Sequence, residues 1–132
     1  MKKIPLLILC LLFLRTAFPQ VEIDHVEPPN WWVDMKNNSL QLMIHGKDIG
    51  KTKAFIEYKA VKVKKSTRTG ANYVIVDLEV GNSTKPGSMT INFKENEKDS
   101  TLISYTYELK ARAKESAKRE GFNTSDMIYL IM

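Results

Sequence analysis

The sequence predicts an all-β fold, a β-sandwich of immunoglobulin type with about seven strands. Three observations carry that prediction. From Val21 to Lys110 apolar and polar residues alternate with a period of two, not the three to four of a helix. Turns rich in Gly, Asn, Pro, Asp or Lys interrupt the alternation at short intervals. Seven short strands at that spacing within about 90 residues fit two packed sheets.

The chain opens with Met1-Lys2-Lys3, an apolar run from Ile4 to Leu14, and Thr16-Ala17, the basic, apolar and small parts of a secretory signal. That run is too short for a bilayer-spanning helix, which needs roughly 20 residues. Residues 1–20 are therefore read as a segment removed on export, with no membrane insertion afterwards. The single cysteine, Cys10, lies within this run and reads as one of its apolar residues. An exported domain without disulfides must be held by its own core, and about 110 residues suffice for one.

The strands are expected in this order: Val21 to Val26, Leu40 to His45, Lys53 to Tyr58 after a turn at Gly46 to Gly50, Val61 to Ser66, Tyr73 to Val80, Ser88 to Lys94, and Thr101 to Lys110. Alternation assigns their faces. Thr101, Ile103, Tyr105, Tyr107 and Leu109 should point inward, and Leu102, Ser104, Thr106 and Glu108 outward. In the fourth strand the valines should face in while Lys62, Lys64 and Ser66 face out, a lysine row typical of a solvated or edge strand.

After Lys110 the composition shifts. Ala111 to Glu120 has high helix propensity, ends at Gly121, and spaces Glu115 and Arg119 for an i,i+4 ion pair, so a short helix or irregular linker is expected over 111–126. The closing run from Met127 to Met132 reads as a strand buried on both faces, of the kind found in parallel sheets and barrels. Such a strand needs partners, so the chain is expected to be the front part of a larger protein.

Charge excludes some partners. The whole chain is +5, but beyond residue 20 there are 17 basic and 15 acidic residues, an ordinary soluble surface that gives no case for nucleic acid or anionic membranes. Glu22, Asp24, Glu27 and Asp34 cluster in sequence, yet glycoside hydrolysis needs two acids held across a bound sugar, and alternating charges on a solvated strand do not supply that. His25 and His45, in separate strands without cysteine, lack metal-ligand spacing, and no nucleophile elbow or phosphate-binding glycine loop is present. No cofactor is called for. The triplets beginning at Asn37, Asn82 and Asn123 read as turns.

The most unusual segment is Val26-Glu27-Pro28-Pro29-Asn30-Trp31-Trp32-Val33-Asp34-Met35. Two prolines force an extended turn, and adjacent tryptophans on extended backbone leave in opposite directions. One ring can pack inward; the other needs different cover. Two readings stand: packing of the sandwich and of a neighbouring domain, or a platform for stacking sugar rings.

Val26, Glu27, Pro28, Trp31, Trp32 and Met35 resemble a segment of the amino-terminal domains of bacterial cyclomaltodextrinases and neopullulanases, members of the alpha-amylase family of glycoside hydrolases. Asp34 stands where relatives often carry Gly, and Asp tolerates positive φ better than most residues. Leu40-Gln41-Leu42 and Gly46-Lys47-Asp48-Ile49 are also similar. Gly121, Phe122, Asp126, Ile128, Tyr129, Leu130 and Ile131 resemble the entrance to that family's catalytic (β/α)8 barrel, whose first strand continues into Pro-Asp-Arg-Phe; this sequence stops one residue before that tetrapeptide.

The resemblance implies a non-catalytic accessory domain of an exported alpha-glucan hydrolase, periplasmic or extracellular in a bacterium. Its catalytic acids would lie beyond Met132. Expected partners are the protein's own catalytic barrel, and alpha-glucan oligosaccharides or a second subunit. Trp31, Trp32 and Met35 are the candidate carbohydrate or domain contacts. The alternative reading is a free-standing exported module that binds carbohydrate or protein.

Overall fold

The computed structural model describes residues 21–127 and 129. The expected signal at 1–20 lies outside these residues, as does most of the expected strand at 127–132. Eight strands are described: β1 His25–Glu27, β2 Asn30–Trp32, β3 Ser39–His45, β4 Lys53–Ile56, β5 Val61–Arg68, β6 Tyr73–Val80, β7 Gly87–Lys94 and β8 Ile103–Lys110. They form two four-stranded sheets, ordered β1-β3-β6-β5 and β2-β8-β7-β4. An immunoglobulin constant-type sandwich sets four strands against three. Here β2 makes the second sheet four as well.

That extra strand follows from the prolines. Pro28 and Pro29 cannot donate to a ladder, so β1 ends at Glu27 and the chain leaves the first sheet, with a cis Glu27–Pro28 peptide. Asn30–Trp32 then pairs in parallel with β8, matching Trp31 with Leu109 and Trp32 with Lys110. Val33 continues this pairing, its N–H donating to Lys110 O at 3.0 Å. The segment expected as an extended turn is therefore an edge strand. On the other side of the prolines the first expected strand is shorter in its assigned part, yet the N–H groups of Glu22 and Asp24 still donate to Lys47 O and His45 O.

The core is the filling between the sheets. Leu42, Ile44, Val74, Val76 and Leu78 from the first sheet meet Met89, Ile91, Phe93, Tyr107 and Leu109 from the second, all essentially without solvent exposure. Each such apolar side chain contributes about 1.5–3 kcal/mol relative to exposure. The alternation in β8 runs as expected from Ile103 to Leu109, with Ser104, Thr106 and Glu108 exposed, whereas Thr101 lies before the strand and is exposed. The turn after β3 is tight because Gly46 lets Glu22 cross against it: a Cβ there would stand 1.9 Å from Glu22 O.

The facing of β5 is corrected in its second half. In β5 the register slips between Val63 and Lys65, a bulge that leaves Lys64 without a direct partner. One extra residue inverts the alternation beyond it. Ser66, expected to face out, is half-buried and its Oγ accepts from the Ala54 N–H of the other sheet at 3.1 Å. Lys62 and Lys64 are exposed as expected, and Lys64 pairs with Glu79.

The linker contains a single 3-10 turn at Ser116–Lys118. Glu115, immediately before it, has φ 62°, a left-handed conformation that an α-helix excludes. Glu115 therefore pairs with Lys118 and not with Arg119. The reason is size: an isolated helix below about 12–15 residues is marginal in water, whatever its propensity. Met127 and Tyr129 are 76% and 78% exposed.

Candidate functional site

Parallel pairing with β8 decides the two tryptophans. Trp31 sits opposite the buried Leu109 and packs half-buried against the core. Trp32, one residue on, faces the other way beside Lys110 and keeps 42% of its surface exposed. The ring centroids are 6.1 Å apart with planes at 56°. The two rings thus form no common flat platform.

Beyond Trp32 the chain turns sharply. Asp34 takes φ 57°, the left-handed conformation that asparagine and aspartate accept more readily than other non-glycine residues. This turn aims the Asp34 carbonyl at the linker, where it accepts from Arg112 Nη1 at 3.0 Å. It also brings Met35, half-buried, next to Trp32. A shallow cleft of about 250 Å³ results, lined by Trp32, Met35, Arg112, Ala113, Ser116 and Arg119.

Arg112 is the centre of this end of the molecule. A second cleft of about 260 Å³ lies between it, Asp34 and Lys118, and a third of about 430 Å³ between it, Met35, Lys36 and Asn82. Sequence reasoning missed Arg112. Its neighbours Ala111 and Ala113 gave no sign beyond helix propensity, and only the fold brings it onto a hydrogen-bond partner 78 positions away in the chain. Trp32 and Met35 are brought together here; Trp31 serves the core beneath.

The other residues weighed for chemistry fall elsewhere. His25 and His45 are direct cross-strand partners, and His45 pairs in turn with Tyr73. The three rings form a row with centroid spacings of 5.0 Å and 4.6 Å, and His45 Nδ1 lies 2.9 Å from Asp24 Oδ2. No group of three or more His, Cys, Asp or Glu side chains suited to a metal occurs among the described residues. Glu22, Asp24, Glu27 and Asp34 are all exposed. The Asn37 and Asn123 side chains cap their own turns, accepting from Ser39 N–H and Ser125 N–H.

The model of the family described as cyclomaltodextrinase, N-terminal, matches residues 25–113. The chain belongs to this family. The matched stretch contains all eight strands, both tryptophans, Met35 and Arg112, so the cleft is built from residues inside the family domain except at Ser116 and Arg119. In cyclomaltodextrinase-like glycoside hydrolases this is the N-terminal domain and not the catalytic one.

Proposed function

We propose that this domain is the non-catalytic accessory domain of an exported alpha-glucan hydrolase, and that it docks on the catalytic barrel through the face around Trp32. The observation that carries this reading is Trp32 itself. A tryptophan 42% exposed on an edge strand, beside Met35 and above an open cleft, is the type of residue that interfaces cover. The parent enzyme would cleave glucosidic bonds in cyclodextrins, pullulan or starch oligosaccharides with two carboxylates of the barrel, while this domain shapes the substrate entrance or a subunit contact. Residues 1–20 direct export, and the run from Met127 to Met132 is the first strand of the barrel.

Sedimentation velocity tests the docking. The chain is mixed with the catalytic barrel of a cyclomaltodextrinase from which the N-terminal domain has been removed. A 1:1 complex that Trp32→Ala disrupts is the expected result. Titration with β-cyclodextrin and maltooligosaccharides runs alongside. Saturable sugar binding lost in Trp32→Ala, without barrel binding, would favour the free-standing carbohydrate module instead.

A further inference from the structure

The docking face has a distinctive charge. Between Lys110 and Arg119 there are five basic residues, Lys110, Arg112, Lys114, Lys118 and Arg119, against one acid, Glu115. Those ten residues carry +4, whereas everything beyond residue 20 sums to only +2. The basic excess of the domain is therefore gathered at the end where Trp32 lies.

Some of these charges are answered locally. Glu115 pairs with Lys118, and Glu108 lies 3.5 Å from Lys110. Arg112 and Arg119 have no carboxylate partner among the described residues, although both line the cleft beside Trp32. Arg112 gives one N–H to the Asp34 carbonyl, which fixes the guanidinium and leaves most of its five donors free. A guanidinium fork of this kind matches a carboxylate in a bidentate pair. The cleft also has an apolar part, Trp32, Met35 and Ala113, which a small free anion would leave uncovered.

Resting on the docking reading above, we propose that the surface covering this face is acidic: a carboxylate-bearing segment of the catalytic barrel seats its apolar part on Trp32 and Met35 and its carboxylates on Arg112 and Arg119. Electrostatic complementarity of this sort sets salt dependence and partner choice more than it adds raw affinity.

The test measures association of the full chain with the same isolated barrel at low and high salt. Raising NaCl from about 50 to about 500 mM shortens the screening length severalfold and should weaken binding by about tenfold or more. Arg112→Glu and Arg119→Glu should each weaken it by a similar factor, and Arg112→Lys by less. Arg119 makes no hydrogen bond or ion pair among the described residues, so its variant reports on binding even where Arg112→Glu perturbs the Asp34 turn.

Binding that ignores salt and Arg119→Glu, yet is lost in Trp32→Ala, overturns the acidic partner and leaves the docking reading standing. Failure of the unaltered chain to bind the barrel overturns both. Equal arginine-dependent binding to polyacrylate, or to vesicles rich in phosphatidylserine, also overturns the proposal, since any polyanion would then serve.

Discussion

Replacing Tyr107 with Phe should stabilise this domain, and the gain should grow in alkali. Tyr107 is fully buried between the sheets and its hydroxyl has no hydrogen-bond partner among the described residues. A buried polar group without a partner costs about 1–3 kcal/mol, so removing it at constant shape should raise stability by about 1 kcal/mol at neutral pH. For a domain this size that is about 4–8 °C in melting temperature.

The same burial, aided by the neighbouring Tyr105, raises the phenol's pKa well above its ordinary value of 10.0. The unfolded chain therefore loses this proton first as pH climbs past 10.0, while the folded chain keeps it. This contribution to stability is fully present below that pH and declines above it by about 1.4 kcal/mol per pH unit. Urea unfolding followed by tryptophan fluorescence at about pH 8 and about pH 11 should show the Phe variant ahead by about 1 kcal/mol and then by about 1.4 kcal/mol more. A Phe variant less stable at the lower pH would mean that the hydroxyl has a partner. An unchanged gap at the higher pH would mean that Tyr107 titrates alike in both states.

The two tryptophans should separate by role. Trp31→Ala, which opens a gap under the β2–β8 edge, should cost about 2–3 kcal/mol in urea unfolding, and Trp32→Ala under about 1 kcal/mol; equal losses would contradict their opposite facing. Gly46→Ala should lower the melting temperature sharply, by about 2 kcal/mol or more of overpacking, because the atoms its Cβ meets at 1.9 Å and 2.8 Å belong to the Glu22 and Ile23 backbone. Normal stability of that variant would show that the Glu22 crossing yields easily. The Glu79 carboxyl is held below its ordinary 4.5 by the Lys64 hydrogen bond, then by the charges of Lys64 and Lys62. Its contribution is present above 4.5 and lost as pH falls below it through the lowered value, so Glu79→Gln should flatten the acid side of the stability–pH curve; superimposable curves would refute this.

Much of the sandwich was legible because side-chain alternation is local. Leu40, Leu42 and Ile44 in β3, and Val74, Val76, Leu78 and Val80 in β6, are all buried where a period of two puts them. At Asp34, where the resembled family often carries Gly, the residue type alone did not decide the turn; the structure shows the left-handed conformation that Asp accepts. Ser66 was misread because a bulge adds a residue on one strand only, and nothing in the Lys62–Lys65 run marks which lysine lacks a partner. Of the two forms expected for the linker the irregular one is observed, and the Glu115–Arg119 pair was misread because it presumed a helix in a segment too short to nucleate alone.

The sequence alone determined the class of fold, the faces of its unbulged strands, the removal of Pro28 and Pro29 from any ladder, and the opposite directions of Trp31 and Trp32. These are properties of neighbouring residues, and backbone stereochemistry enforces them wherever the segment lies. Tertiary structure decided which tryptophan is covered, because only parallel pairing with β8 sets Trp31 over Leu109 and leaves Trp32 outside. It likewise decided that Arg112, far along the chain, closes onto the Asp34 turn and makes that edge a basic, apolar face. Contacts between residues so distant are fixed by strand register and sheet order, which many short-range patterns share.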